Sequence, residues 1–171
     1  MVKPAEVSEH SRSRSARSRT LGWAVTGNAL PRGVDPSVSE SLHYRVNFPV
    51  DDAELSQLHQ RAFGGEYELT PWRARLDTHS KSWVGAFTHG QLCGFVHAVW
   101  DGGRHAFLLD TVVDPALQRR GIGTTLVARI VADLRGSGIE WVHVDYEPHL
   151  HEFYSAGCGF RETTAGLLRL E

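Results

Sequence analysis

The segment from Val112 to Thr124 constrains the fold more than any other part of the chain. It reads VVDPALQRRGIGT and joins an apolar strand to a helix through a basic, glycine-bearing turn. Gly121 and Gly123 leave the main chain open to close approach. The first amides of the following helix have no intrahelical partner and lie at the positive end of its dipole. With Arg119 and Arg120 beside it, this turn predicts a site for a phosphate or pyrophosphate.

The spacing within this turn identifies the kind of site. A P-loop requires G-x-x-x-x-G-K-[ST] and a dinucleotide fingerprint requires G-x-G-x-x-G, and neither is present. Gln118-x-x-Gly121-x-Gly123 instead resembles the acetyl-CoA signature [RQ]-x-x-G-x-[GA] of the GNAT superfamily of N-acetyltransferases. Further along, FYSAGCGF at 153–160 resembles the F-Y-x-x-x-G-F ending of that family. The resemblance covers roughly residues 42 to 171.

The resemblance implies an α/β fold of GNAT type, with a central twisted mixed sheet of six to seven strands and about four helices. The residue pattern agrees, because an apolar stripe of helical period follows the turn and requires a sheet to pack against. The stripe consists of Ile122, Leu126, Val127, Ile130, Val131 and Leu134. We expect a closing hairpin, formed by Phe160-Arg161 and Leu167–Leu170, to complete the sheet.

Residues 1–41 lie outside the resemblance. They contain the low-complexity run SRSRSARSR at 11–19 and show no sustained helix or strand period. We interpret them as a disordered Arg/Ser-rich extension, with residues 42–171 forming one N-acetyltransferase domain. Two other interpretations of the extension remain open: it is a basic arm that contacts nucleic acid, or it is a targeting peptide.

Composition excludes several classes of protein. The 18 basic and 20 acidic residues give a net charge of -2, which offers no general attraction to nucleic acid or to an anionic membrane. Two cysteines and the absence of an apolar run near 18 residues argue against a disulfide framework and a membrane span, so we expect a cytoplasmic protein. Ten histidines occur without an H-E-x-x-H motif, and we expect no metal. A homodimer remains open.

The resemblance implies acetyl-CoA as the co-substrate and assigns its contacts. Main-chain groups of Val112 and Val113 would pair with the pantetheine arm, and amides of the turn would hold the pyrophosphate. The predicted coenzyme-binding residues are Val112, Val113, Gln118, Arg119, Arg120, Gly121, Ile122, Gly123 and Thr124.

The resemblance also suggests a catalytic acid. Tyr154 matches the position that in many family members donates a proton to the departing CoA thiolate. Its spacing from Leu150 and Phe153 is equally that of a core residue, so both roles stay open.

A base or a water relay is expected as well, because an amine of pKa near 10.4 is almost fully protonated at pH 7. Glu147 stands where the family ending commonly has Asn, near the expected position of the acceptor. The candidate bases are Asp110, Asp145, Glu147, His97 and His143. The catalytic set predicted from the sequence is Tyr154, Glu147 and Asp110.

The predicted function is transfer of an acetyl group from acetyl-CoA to a primary amine of a small molecule or peptide, by direct attack in a ternary complex. Two alternatives come from other classes of protein. One is an acyl-CoA-binding sensor without turnover. The other is a nucleic-acid- or ribosome-associated protein that uses the basic arm.

Overall fold

A computed structural model describes residues 42–170, so the predicted disordered extension at 1–41 lies outside the described residues. This part of the chain forms one five-stranded sheet in the order β1-β2-β3-β4-β5. The pairs β1/β2, β2/β3 and β3/β4 are antiparallel, and β4/β5 is parallel. The strands are β1 (His43–Val46), β2 (Ser80–Thr88), β3 (Gln91–Trp100), β4 (His105–Val113) and β5 (Trp141–Val144).

Three α-helices cover the sheet: α1 (Asp52–Phe63), α2 (Trp72–His79) and α3 (Ile122–Leu134). The Asp51 side chain caps α1 by accepting a hydrogen bond from the Glu54 amide at 2.8 Å. Single helical turns at Pro115–Leu117 and Pro148–Leu150 and a π-helix at Phe153–Gly157 complete the elements. Within residues 42–170, no helix is long and apolar enough to cross a membrane.

Helices pack on both faces of the sheet, which makes a three-layer α/β/α arrangement. The face opposite α3 is open at the β4–β5 end, where Phe107 and Leu109 are 40–42% exposed. On one face, α3 places Leu126 and Ile130 against β-strand residues such as Val96. On the other face, α1 and α2 pack Leu55 and Trp72 into a separate core cluster. The mixed α/β fold expected from the sequence is therefore present.

A β-bulge interrupts β4. Phe95 pairs with Val112 and His97 with Leu109, so two steps along β3 match three along β4. Within the bulge, Asp110 has φ of 51°, a left-handed conformation that is uncommon outside glycine. The bulge reverses the two faces of the strand, since Ala106 and Leu108 before it lie in the α3 core and Val112 after it lies in the α1–α2 core.

The parallel strands separate at this bulge. The last pair between β4 and β5 is Leu108 with Val144, yet β4 continues to Val113. The edge of β4 beyond Leu108 is thus left without a β5 partner in the described fold, directly before the glycine turn.

The expected strand number was wrong: residues 42–170 contain five strands, not six to seven. The predicted closing hairpin does not form, and residues 161–170 carry no strand. Leu167, Leu168 and Leu170 are 81–92% exposed. Neighbouring Leu167 and Leu168 would point to opposite faces of a strand, so only one of them could be buried against the core, which leaves little to offset the cost of ordering the segment.

Candidate active site

The glycine turn forms the N-terminus of α3. Gly121 is the N-cap residue, with φ of 77°, and its carbonyl accepts the first helical hydrogen bond from the Thr125 amide at 3.0 Å. The amides at 122–124 therefore precede the first intrahelical donor and lie at the positive end of the helix. Arg119 and Arg120 are exposed beside them. The local arrangement suits an anion, as the sequence predicts.

The turn is tied to the end of β4. The Gln118 side-chain amide donates to the Val113 carbonyl at 3.2 Å. Asp114 accepts from the Ala116 amide at 3.1 Å and from Arg61 Nε of α1 at 2.9 Å. These contacts hold the turn next to the unpaired edge of β4, and the coenzyme contact of Gln118 stays a prediction.

Gly123 brings the two sequence motifs into contact. A Cβ placed on Gly123 would lie 3.2 Å from two carbons of the Phe153 ring, so any larger residue would push the ring away. The absence of a side chain here lets the start of α3 pack on the Phe153-Tyr154 segment.

Tyr154 is buried at 5% exposure and belongs to the α3 core. Its ring stacks on Tyr146, with centroids 4.9 Å apart. Burial raises the pKa of Tyr154 above its ordinary value of 10, although a hydrogen bond with the Thr111 side chain opposes this. Tyr154 is thus both a core residue and a protonated phenol whose hydroxyl reaches β4, one residue beyond Asp110.

The π-helix at Phe153–Gly157 explains a spacing difference. Four residues separate Tyr154 from Gly159, whereas the family ending F-Y-x-x-x-G-F has three. A π-helical turn accommodates one additional residue relative to an α-helical turn. The Phe160 amide then bonds back to the Tyr154 carbonyl at 2.9 Å, and Phe160 packs edge-on against the Tyr154 ring.

Asp110 lies at the centre of a polar network on the α1–α2 side of the sheet. Its two carboxylate oxygens face His59 Nε2 at 3.1 Å and His97 Nε2 at 2.9 Å. His97 Nδ1 lies 2.7 Å from Ser80 Oγ. Burial raises the pKa of Asp110, but the hydrogen bonds from His97 and His59 outweigh it, and the pKa lies below its ordinary value of 3.8. The carboxylate is therefore ionised at neutral pH.

The remaining sequence candidates lie elsewhere. Glu147 is exposed, and its main-chain carbonyl accepts from the Leu150 amide at 2.8 Å at the start of the turn after β5. His143 Nε2 lies 2.7 Å from His105 Nδ1, and its ring stacks on Phe107. The structure thus brings Tyr154 and Asp110 to neighbouring positions of β4, while Glu147 lies in the following loop. Asp145 is exposed.

Two members of the site were not among the sequence candidates: His59 and Thr111. His59 lies with Leu55, Leu58 and Ala62 on the apolar face of α1. This spacing is visible in the sequence, and a histidine on a core-facing helix stripe could have been recognised as a candidate. Thr111 has no comparable signal, because its role depends on the bulge. Among residues 42–170, no group of three or more His, Cys, Asp or Glu side chains is arranged to hold a metal ion.

A family model described as the acetyltransferase (GNAT) family matches residues 52–160. The chain belongs to the GNAT acetyltransferase family. The match begins at α1 and ends at Phe160, so it includes the bulge, the glycine turn and the Tyr154 segment.

One curated relative of this GNAT protein is serotonin N-acetyltransferase 2, chloroplastic, from Oryza sativa subsp. japonica. The two are 38% identical over 133 residues, which cover 78% of this chain and 59% of the relative. The chain thus spans about three fifths of the length of that protein.

Solved structures share the fold. A Trypanosoma brucei acetyltransferase superposes with a TM-score of 0.63 at 21% identity, covering 76% of this chain and 99% of the other. A GNAT family N-acetyltransferase from Escherichia coli in complex with CoA gives 0.60 at 22% identity, covering 75% and 72%.

Proposed function

We propose that this GNAT protein transfers an acetyl group from acetyl-CoA to a primary amine of a small molecule or peptide, by direct attack in a ternary complex. The observation that carries the proposal is the position of Tyr154. Its buried phenol faces the Thr111 side chain where β4 and β5 separate, beside a glycine turn suited to a pyrophosphate. An anion site and a proton donor at one end of one strand match the needs of a thioester substrate that carries phosphates.

Acetyl-CoA would lie along the end of β4. The unpaired edge at Val112 and Val113 supplies main-chain groups for the amides of the pantetheine arm, in the manner of an added strand. The amides of Gly121 to Thr124 then face the pyrophosphate, and Arg119 and Arg120 add charge. Gln118 serves this arrangement by holding the Val113 carbonyl and the turn together.

The reaction needs a base that takes a proton from the amine and a donor that stabilises the leaving thiolate. Freeing the lone pair of an amine of pKa near 10.4 at pH 7 costs about 4.6 kcal/mol, so a base is useful. The leaving thiolate, of pKa near 8.5, is stabilised by a hydrogen bond from the Tyr154 phenol. Asp110 and Glu147 stay the proposed carboxylates on the acceptor side, and the network around Asp110 favours the first.

The test is thiol release from acetyl-CoA by the purified chain against a panel of amines, with product identified by mass spectrometry. The panel contains serotonin, an amino sugar, a polyamine and a peptide with a free N-terminus, because the rice relative is named for serotonin. Amine-dependent thiol release with a matching acetylated product supports the proposal. Tight binding of acetyl-CoA without thiol release for any amine would favour the sensor alternative instead.

Partners and location follow as further predictions. The acceptor is a small molecule or peptide, and neither a nucleic acid nor a membrane is needed for the reaction as proposed. Measurement of the molecular mass in solution tests whether the protein forms a homodimer. The cytoplasmic location stays a prediction, and the rice relative is chloroplastic by name.

A further inference from the structure

His59 and His97 both contact Asp110, but their surroundings differ. His97 is 1% exposed, and both of its ring nitrogens are engaged, one by Asp110 and the other by Ser80. It therefore has no nitrogen left for a substrate. The His59 side chain is 33% exposed, and the structure gives its Nε2 to Asp110.

The tautomer of His59 follows from this contact. An ionised carboxylate only accepts hydrogen bonds, so the Nε2 atom that faces Asp110 must carry a hydrogen. In the neutral ring, Nδ1 then has the free lone pair and acts as an acceptor. Because the side chain is partly exposed, that lone pair can accept a hydrogen bond or a proton from a substrate or a water molecule.

The orientation of the His59 ring is fixed by packing as well as by Asp110. Its centroid lies 4.6 Å from that of Phe63 and 5.4 Å from that of Trp72. An imidazole that is oriented by a carboxylate on one nitrogen and has the other nitrogen available is the arrangement of a general base. The strained backbone at Asp110, with φ of 51°, agrees with a role beyond stability.

We infer that His59 is the general base of the acetyl transfer: its Nδ1 takes the proton from the acceptor amine, directly or through one water, and Asp110 acts as the positioning residue. This inference rests on the proposed function and deepens it. It also assigns the acceptor to the α1–α2 side of the sheet, where His59 is partly exposed.

The proton balance of the reaction is complete with these groups. The ammonium form of the acceptor gives one proton to His59, which passes it to solvent. The amine lone pair forms the C–N bond at the thioester carbon, and the C–S bond breaks. The thiolate is held by a hydrogen bond from Tyr154 and takes up, through solvent, the proton lost by the new amide nitrogen. One proton is released for each amide formed.

The first test is His59→Gln. Glutamine keeps an N–H group for Asp110 but offers no base, so we expect kcat/KM for an aliphatic amine at pH 7 to fall by about 10²-fold or more. The Kd for acetyl-CoA should not change. An arylamine is already unprotonated at pH 7, and we expect the loss with that acceptor to be much smaller. His79→Gln is the matched control, because His79 is exposed at the end of α2.

The second test does not depend on turnover. Nitrogen-15 NMR of the histidine rings in the full chain reads the tautomer directly, and we expect His59 as the Nε2–H form. Asp110→Asn should redistribute that tautomer without unfolding the chain, which a purely structural role of the carboxylate does not predict.

The outcomes separate this inference from the proposed function. If the unaltered chain acetylates an amine and His59→Gln acetylates it equally well, His59 is not the base and the acetyltransferase proposal stands. An Nδ1–H tautomer of His59 also overturns the inference. If the unaltered chain acetylates no amine, the proposed function fails, and the assignment of His59 fails with it.

Discussion

At the scale of single residues, Tyr154 and Asp110 show how burial can serve chemistry. Burial raises the pKa of the Tyr154 phenol and so keeps it protonated. Burial acts the other way on Asp110, because it disfavours the charged form, but two imidazole hydrogen bonds overcome it. The outcome is a neutral phenol on the π-helix, beside Thr111, and an ionised carboxylate at the preceding residue of the bulged strand.

The role of Tyr154 is tested by Tyr154→Phe. The ring and its stacking on Tyr146 remain, so we expect the fold and the Kd for acetyl-CoA to persist while kcat falls by about 10²-fold. Steady-state kinetics and coenzyme titration measure the two effects. Tyr146→Phe removes a phenol that faces His151 rather than β4, and it should retain activity. Equal turnover of Tyr154→Phe and the unaltered chain would make Tyr154 a structural residue only.

Acid stability tests the network around Asp110. Because its pKa in the folded chain is below 3.8, the ionised carboxylate contributes stability in full above about pH 4 and loses it as the pH falls through the folded pKa. We expect Asp110→Asn to lower the free energy of unfolding by about 1.5–3 kcal/mol at pH 7, and the difference to shrink at lower pH. Urea unfolding at several pH values measures it, with the exposed Asp77→Asn as the control. A difference that does not change with pH would contradict the assignment.

At the scale of elements, the site is a junction of three of them. The end of β4 leaves β5 at the bulge, α3 begins at Gly121, and the π-helix brings Tyr154 back to β4. The contact between Gly123 and Phe153 joins the last two. The extra residue before Gly159 is accommodated by the π-helix.

The anion site at the start of α3 is tested at Gly121, where a Cβ would meet open space. Gly121→Asn and Gly121→Asp impose similar strain at φ of 77°, which both residues tolerate better than most. They differ in charge. We therefore expect Gly121→Asp to weaken acetyl-CoA binding far more than Gly121→Asn does, by about tenfold or more between the two, and calorimetry can measure it. Equal affinities for the two variants would refute the placement of the pyrophosphate.

At the scale of the whole molecule, the site depends on both cores. The α3 core holds Tyr154, and the α1–α2 core holds Val112 and Trp72, whose ring contacts His59. In the proposed reaction, acetyl-CoA and the acceptor would enter from the two faces and meet at the gap between β4 and β5. Both clusters are assembled from residues within 42–170.

A chain that begins at residue 42 tests the proposed domain boundary. Since both clusters lie within the described residues, we expect the shortened chain to keep one cooperative thermal transition and its acetyl transfer. Differential scanning calorimetry and the thiol-release assay measure these properties. A collapse of the transition would refute the boundary. Salt-dependent RNA binding that is lost with residues 1–41 would support the nucleic-acid alternative.

Sequence reasoning succeeded where a short local pattern determines the geometry. The strand, turn and helix around Gly121 were predicted from adjacent residues. It failed for the closing hairpin, because apolar residues at 167–170 do not by themselves supply a strand partner. Asp110 was a candidate base, but its partner His59 is 51 positions away, and no local pattern joins them.

The amino-acid sequence by itself indicated the family through the resemblance of two short motifs. It also determined the mixed α/β fold and the glycine turn, because helix periodicity and turn glycines act over a few neighbouring residues. The tertiary structure decided which side chains meet. The bulge in β4 reverses the faces of the strand and places Asp110 between two histidines from α1 and β3. The π-helix returns the Tyr154 hydroxyl to the next residue of that strand. Such contacts arise from packing between distant segments, and the turn at Gly121 acquires its proposed chemistry only through them.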